Sequence, residues 1–171
     1  RRNAAEAGLD MRMNQAGIAD GPALLLQVQV DHVIANPPYY AAGAGTPAQD
    51  SGRETALREA TSLSVWMACA KARLKPKGWL TLIQAADRLP DCLDALQGGF
   101  GSVAVRPLAP RQGRPASRVL ILARKGGKAP FRLLAPLVLH DGLAHRQDGD
   151  DYSELARSVL RDGAALPWGE G

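Results

Sequence analysis

The sequence predicts an α/β fold with a mostly parallel sheet and an antiparallel edge strand. Apolar, β-branched segments alternate with helical segments, as in strands joined by crossover helices. The last two strand-like segments are joined by a short link, which breaks the alternation and favours the antiparallel edge. The 171 residues are 46% hydrophobic, which suits a single domain over residues 1–171 with its own core.

The first half of the chain predicts a helix end in "RRNAAEAGLD", a weak strand in "MRMNQAGIAD" and a strand in "VDHVIANPP" that the proline pair ends. "AAGAGTPAQDSG" has the composition of a loop. "ETALREATSLSVWMACAKARL" predicts the longest helix, with an apolar stripe. "KPKG" predicts the tight turn that closes this helix.

The second half predicts a buried strand in "WLTLIQAAD" and a short helix in "LPDCLDALQGG". "SVAVRPLAP" and "RVLILARKG" predict two strands joined by "RQGRPAS". "DYSELARSVLRDG" predicts an amphipathic helix that starts after Ser153. Trp168 falls in a tail that we expect to fray.

Cysteine and histidine spacing predicts no metal site. Cys69 and Cys92 form no C-x-x-C pair, and His32, His140 and His145 have no ligand spacing with them. Two buried free thiols are the expectation, with a disulfide as the alternative. No apolar run reaches the ~20 residues of a membrane span, and no signal-peptide pattern is present. We expect a cytoplasmic protein without membrane contact.

Basic residues are concentrated in one part of the chain. The net charge is +4, and residues 95–140 contain no Asp or Glu. An acid-free basic stretch of this kind suits a nucleic-acid backbone, although an ordinary solvated surface is the equal alternative on charge alone. The basic residues of this stretch are Arg106, Arg111, Arg114, Arg118, Arg124, Lys125, Lys128 and Arg132.

The end of the strand in "HVIANPPYY" is the strongest candidate site. Ligands of open α/β sheets bind beyond the carboxyl ends of the strands. Pro37 and Pro38 hold their predecessors extended and fix their own φ. The Asn36 side-chain oxygen and the Pro37 carbonyl can then accept the two hydrogens of an NH2 group on a planar substrate. Tyr39 can stack on its ring, a contact worth about 1–3 kcal/mol.

"NPPY" at a strand end is similar to the catalytic motif of S-adenosylmethionine-dependent amino methyltransferases, which act on adenine N6, cytosine N4 or glutamine amide nitrogen. "RRNAAEAGL", "LKPKGWLTLI", "RPASRVLILARKG" and "DYSELARSVL" resemble segments of the bacterial valine-tRNA adenine N6-methyltransferase group. The resemblance covers nearly the whole chain. It implies a Rossmann-like class I methyltransferase fold.

The resemblance also implies site residues. Asn36, Pro37, Pro38 and Tyr39 would be catalytic. Asp20 in "GIAD" would lie near the cofactor adenine, and Asn36 would also contact S-adenosylmethionine. An RNA contact would come from Arg53, near the start of the long helix. The charge of the basic stretch, rather than the resemblance, adds Arg106, Arg111, Arg114 and Arg118 as candidate RNA contacts.

Two features depart from the family pattern. The chain lacks the glycine-rich loop after the first strand and the acidic residue after the second. We therefore expect a truncated domain without its N-terminal strands, inactive by itself and weak in cofactor binding. In the family's sheet those strands lie beside the "NPPY" strand, so we expect its edge to be exposed and to favour a homodimer. The second departure is Arg53-Glu54, where subgroup members often have Arg-His-Glu.

Three functions follow as hypotheses. The first is methyl transfer to an adenine N6 amine of RNA, with tRNA foremost, for which the base must leave its stack. The second is methylation of a glutamine amide on a protein such as a release factor. The third is a non-catalytic fragment or RNA-binding module.

Overall fold

The computed structural model describes residues 8, 18, 27–38, 62–142 and 151–169. The helix expected before Gly8, the weak strand before Asp20 and the loop at 41–52 lie outside these residues, apart from Gly8 and Ile18. The first part of the long helix, up to residue 61, also lies outside them. The elements are β1 (Val30–Ala35), α1 (Leu63–Arg73), β2 (Leu74–Ala85), a 3-10 turn (Ala86–Arg88), α2 (Leu89–Leu96), β3 (Phe100–Ala109), β4 (Arg118–Lys125), β5 (Arg132–Leu133), β6 (Leu137–Val138) and α3 (Glu154–Arg161).

The strands form one mixed sheet in the order β1-β2-β4-β3-β5, with β6 also paired to β3. β1 is parallel to β2, and β5 and β6 are parallel to β3. β4 is antiparallel to both β2 and β3. The α/β class with an antiparallel strand is confirmed. The expected position of that strand at the edge of the sheet is wrong. The short link folds β4 back along β3, and the opposite side of β4 pairs with β2, so β4 lies inside the sheet.

Alternating burial explains why these segments form strands with one face on the core. Leu80 and Leu82 of β2, and Ile121 of β4, point into the same cluster and are almost fully buried. Helices α1 and α2 cover this face, because their apolar side chains belong to the same cluster. The helical side chains in it are Leu63, Met67, Ala70, Cys92 and Leu96.

The turn expected at "KPKG" is instead part of β2. Helix α1 ends at Arg73 and the strand begins at once with Leu74, which pairs with Val30. The next pair joins His32 to Trp79, so β2 accommodates its extra residues in an irregularity of register. Lys77 takes a positive φ of 64° inside it. The chain therefore changes direction between α1 and β2 at a β-bulge, where the sequence predicts a turn.

The C-terminal segment packs against β3. Helix α3 starts as predicted, because the Ser153 hydroxyl accepts a hydrogen bond from the Ala156 amide at 3.2 Å. Beyond the helix, the guanidinium of Arg106 lies 6.0 Å from the centre of the Trp168 ring. Trp168, which we expected in a frayed tail, is half-buried and lies next to this cation.

Within the described residues, no helix combines the length and apolar character that a membrane span requires.

Candidate active site at the carboxyl edge of β1

The turn after β1 exposes one polar side chain beside a buried ring. The side chains of β1 alternate, with His32 and Ile34 exposed and Ala35 buried. Asn36 is exposed, whereas Pro37 is among the fully buried side chains. The buried proline fixes the backbone at the strand end, and the amide of Asn36 stays accessible to a ligand.

A buried glutamine on the neighbouring strand holds this turn. Gln84 of β2 is fully buried. Its Nε2 donates to the Pro38 carbonyl at 3.2 Å, and its Oε1 accepts from the Ala85 amide at 2.8 Å. The sequence analysis missed Gln84. The signal that could have found it is its place in the inward row of β2, after Leu80 and Leu82.

The sheet register brings the β3–β4 hairpin to the same edge as this turn. Ala35 pairs with Leu82, and Ala85 at the end of β2 pairs with Arg118 at the start of β4. The Ala86 amide also donates to the Ser117 carbonyl at 3.0 Å. The hairpin loop, residues 110–117, therefore lies at the edge that carries Asn36, and Arg111, Arg114 and Arg118 lie in or beside it.

Arg114 and Arg111 differ in their surroundings. The Arg114 amide donates to the Arg111 carbonyl at 3.1 Å, which closes a turn with Gly113 at φ 72°, and the Arg114 side chain is exposed. The Arg111 side chain is only 14% exposed, and its Nη2 lies 2.5 Å from Asp151 Oδ2. Arg111 also donates to the Asp141 carbonyl. The Arg111 guanidinium is therefore bound largely by groups of the protein itself.

Asp151 joins the hairpin to the C-terminal segment. Its second oxygen lies 2.6 Å from His140 Nδ1. The His140 ring stacks on Tyr152 with centroids 5.0 Å apart, and the His140 amide donates to the Pro110 carbonyl. Asp151 was not among the predicted site residues. Its contacts make it the centre of a small cluster at the candidate site edge.

Arg106 lies further down β3, where it pairs with Leu120. Its guanidinium donates to the Ala135 carbonyl at 3.2 Å and to the Pro167 carbonyl at 2.5 Å. These contacts give Arg106 a role in holding the C-terminal tail. Of the other predicted site residues, Asp20, Tyr39 and Arg53 lie outside the described residues.

Comparisons with known proteins support a methyltransferase. No family model matches the chain. The tRNA1(Val) (adenine(37)-N6)-methyltransferase of Dickeya chrysanthemi (strain Ech1591) is 27% identical over 133 residues, which cover 76% of this chain and 51% of that protein. A crystal structure from Agrobacterium tumefaciens described as a "predicted O-methyltransferase" has 25% identity and a TM-score of 0.60, covering 80% of this chain and 53% of that one.

This chain thus spans about half the length of both relatives. The strand order and the likeness in structure confirm the expected Rossmann-like methyltransferase fold. With the asparagine-proline turn at the end of β1, the chain resembles an amino methyltransferase of the group that includes the valine-tRNA adenine N6 enzymes.

Proposed function

We propose that this chain is part of an S-adenosylmethionine-dependent methyltransferase that acts on an adenine N6 amine in RNA, with tRNA as the first substrate to test. The observation that carries the proposal is the exposed Asn36 at the carboxyl end of β1, at the same end of the sheet as a hairpin with Arg114 and Arg118. The name of the Dickeya relative supports the same substrate class.

The turn leaves two acceptors for the substrate amine. The candidate acceptors at the turn are Asn36 Oδ1 and the carbonyls of Pro37 and Pro38. Gln84 occupies the Pro38 carbonyl at 3.2 Å. Asn36 Oδ1 and the Pro37 carbonyl then accept the two amine hydrogens, which turns the nitrogen lone pair away from the ring system. Tyr39 is the proposed stacking partner of the adenine ring.

S-adenosylmethionine, when bound, supplies an electrophilic methyl group at its sulfonium. The described residues fit one wall of such a site, since Asn36 is exposed where β1 ends and ligands of open α/β sheets bind at that edge. Asn36 is therefore one proposed cofactor contact. Asp20 is the other, proposed from the family resemblance alone.

RNA binding is proposed to centre on the hairpin loop. Arg114 is exposed at its turn, and phosphate contacts by such residues position a nucleic acid without reading its sequence. Arg118 lies at the same edge, level with Ala85. We rank Arg111 and Arg106 below Arg114 for phosphate contact, because each binds protein carbonyls. Arg53 stays a weaker proposal.

The direct test is methyl transfer by the full-length protein to undermodified tRNA and, in parallel, to a release factor. We expect labelled methyl groups on tRNA adenine, located by mass spectrometry of nucleosides. Asn36→Ala should lower kcat by about 100- to 1,000-fold, the usual effect of removing one preorganised hydrogen-bond partner of the reacting group.

The matched control is Asp31→Ala in β1, the strand that leads to Asn36. This change removes the exposed ion-pair partner of Lys75 in β2. Its activity should equal that of the unaltered protein. Transfer to the release factor alone would replace RNA with a protein amide as the substrate. Binding of tRNA without transfer to either substrate would favour a non-catalytic RNA-binding module.

A further inference from the structure

Gln84 stands out because polar side chains are costly to bury. Among the described residues, it is the one polar side chain in the buried core, with no exposed surface. It continues the inward row of Leu80 and Leu82 on β2. A leucine there would extend the apolar row without any need for hydrogen-bond partners. The glutamine instead supplies a donor and an acceptor inside the core.

Both polar atoms of Gln84 have partners. The acceptor Oε1 binds the adjacent Ala85 amide at 2.8 Å, which fixes the orientation of the carboxamide. The donor Nε2 then points across to β1 and reaches the Pro38 carbonyl, 46 residues earlier in the chain. The glutamine thereby links the end of β2 to the turn that carries Asn36.

This link controls an angle that proline leaves free. A proline ring fixes φ but not ψ. The ψ angle of Pro38 sets the direction of its carbonyl, and with it the direction in which the chain leaves toward Tyr39. A hydrogen bond to that carbonyl from a buried, oriented side chain restricts ψ to one value.

We propose that Gln84 is a positioning residue for the Asn36-Pro37-Pro38 turn: its buried carboxamide holds the Pro38 carbonyl and so anchors the end of the turn that carries the two amine acceptors. Its effect on the rate rests on the function proposed above. Its effect on the turn does not, and the two are tested separately.

The structural test uses Gln84→Met, which keeps the length of the side chain and removes both hydrogen bonds. In protein labelled with carbon-13 at proline carbonyls, the Pro38 signal should shift upfield in the variant, because it loses its donor. The control Gln97→Met alters an exposed glutamine after α2, at the opposite edge, and should leave that signal in place. An unshifted Pro38 signal in a folded Gln84→Met protein overturns the proposal.

If Gln84→Met does not fold, Gln84→Glu takes its place, since a carboxylate keeps the acceptor for Ala85 and removes the donor to Pro38. When the buried carboxyl is protonated it can donate again. The Pro38 signal of Gln84→Glu should therefore return toward the original position as the pH is lowered. A signal that does not move with pH in this variant, while the protein stays folded, also overturns the proposal.

The kinetic test distinguishes an effect of Gln84 on the position of the turn from a general loss of protein structure. Gln84→Met should lower kcat by about 10- to 100-fold, since small misplacements of a reacting group have effects of this size, with KM for tRNA changed less than about twofold. In an Asn36→Ala background the same change should add little, because Gln84 acts through the turn. Full additivity would contradict the proposal. If no methyl transfer occurs at all, the proposed function fails, and the Pro38 signal still decides the role of Gln84.

Discussion

Differences in burial distinguish the side chains that a ligand or reagent can reach from those that it cannot. Asn36 is exposed beside the fully buried Pro37, so a rigid support and an accessible amide occupy adjacent positions. The two cysteines divide in the same way, with Cys69 half-buried and Cys92 buried. Both are free thiols, as expected, but the expectation that both are buried is wrong for Cys69.

Cys92 should resist alkylation in the folded protein. Desolvation by burial raises the pKa of its thiol from 9.0 to about 11, against a smaller opposing effect of Arg88. Only the thiolate is nucleophilic. With iodoacetamide at pH 8, we expect label on Cys69 and little on Cys92, and label on both in denaturant, as read by mass spectrometry of peptides.

The same shift predicts a loss of stability in alkali. The unfolded thiol releases its proton near pH 9.0 and the folded thiol near pH 11, so the free energy of unfolding should fall between these values. Cys92→Ala should lack this component of the pH dependence. Equal labelling rates for Cys92 in the native and denatured protein would contradict the pKa assignment.

Ser153 should contribute more to stability than a surface serine. Its hydroxyl accepts from the Ala156 amide and donates to the Val138 carbonyl at 2.6 Å. Ser153→Ala should lower the free energy of unfolding by about 1–2 kcal/mol, at the upper end of helix-cap effects, measured by urea denaturation. Ser153→Thr should retain most of it.

The control is Ser158→Ala, whose hydroxyl binds only the Leu155 carbonyl of its own helix turn among the contacts described. A loss for Ser153→Ala no larger than for this control would show that the cap is unimportant.

At the level of residues, the sequence predicted the turn but not its support. The prolines mark the end of β1 through their own covalent geometry, so Asn36 could be singled out without a structure. The alternation of Leu80, Leu82 and Gln84 indicates that Gln84 faces the core, but it does not reveal the role of this side chain. Its role depends on a partner on another strand.

Among the elements, β1 has the most unusual position. Within the described part of the chain it pairs with β2 on one side only. Ile34, the last residue but one of the strand, is 81% exposed. An edge strand with an exposed apolar side chain is prone to associate with another strand. The homodimer expected from the sequence therefore stays a prediction, placed at this edge.

Ile34→Lys should weaken such an association, because a lysine on an edge strand discourages pairing. Sedimentation velocity over a range of concentrations should show a dimer for the unaltered protein and a shift toward monomer for the variant. Leu133→Lys, on β5 with 66% of Leu133 exposed, is the matched control and should leave the dimer intact. A monomeric unaltered protein at every concentration would exclude the homodimer.

The order of the strands illustrates what local patterns can predict. Val119, Ile121 and Ala123 alternate inward along β4, which reveals a strand and its buried face. The same alternation does not identify which strands lie on either side of it. That is decided by pairing with β2, far away in sequence, so the interior position of β4 could not be derived from its own residues.

At the scale of the whole molecule, the residues of the basic stretch are divided between the two ends of the strands. One end is the carboxyl end of β1 and β2, and the other is the opposite end of the sheet. Arg111, Arg114 and Arg118 are at the edge with Asn36. Lys125 ends β4 at the other edge, where its ammonium donates to the Leu74 carbonyl at 2.5 Å. Charge counted along the chain overstates the basic surface available to one ligand, since several of these cations bind backbone oxygens.

Affinity for tRNA should depend on salt through the hairpin. Arg114→Gln should weaken binding, and it should reduce the slope of log affinity against log salt by about 1, as expected for one phosphate contact. Filter binding between 50 and 200 mM salt, taken as about the range where such slopes are measured, would test this. Lys128→Gln, an exposed lysine after β4, should leave the slope unchanged, and an equal reduction for both variants would contradict the assignment to the hairpin.

The reversed direction of β4 has a consequence for how such a protein could change its target. Because this strand runs against its neighbours, the segment that enters it arrives at the rim where β1 and β2 end. Residues 112–116 lie outside the described strand pairs, so we expect their number and identity to vary more freely than those of Arg111 and Ser117, which contact Asp151 and Ala86. Recognition of different targets could thus change through this one segment, while the Asn36-Pro37-Pro38 turn stays the same.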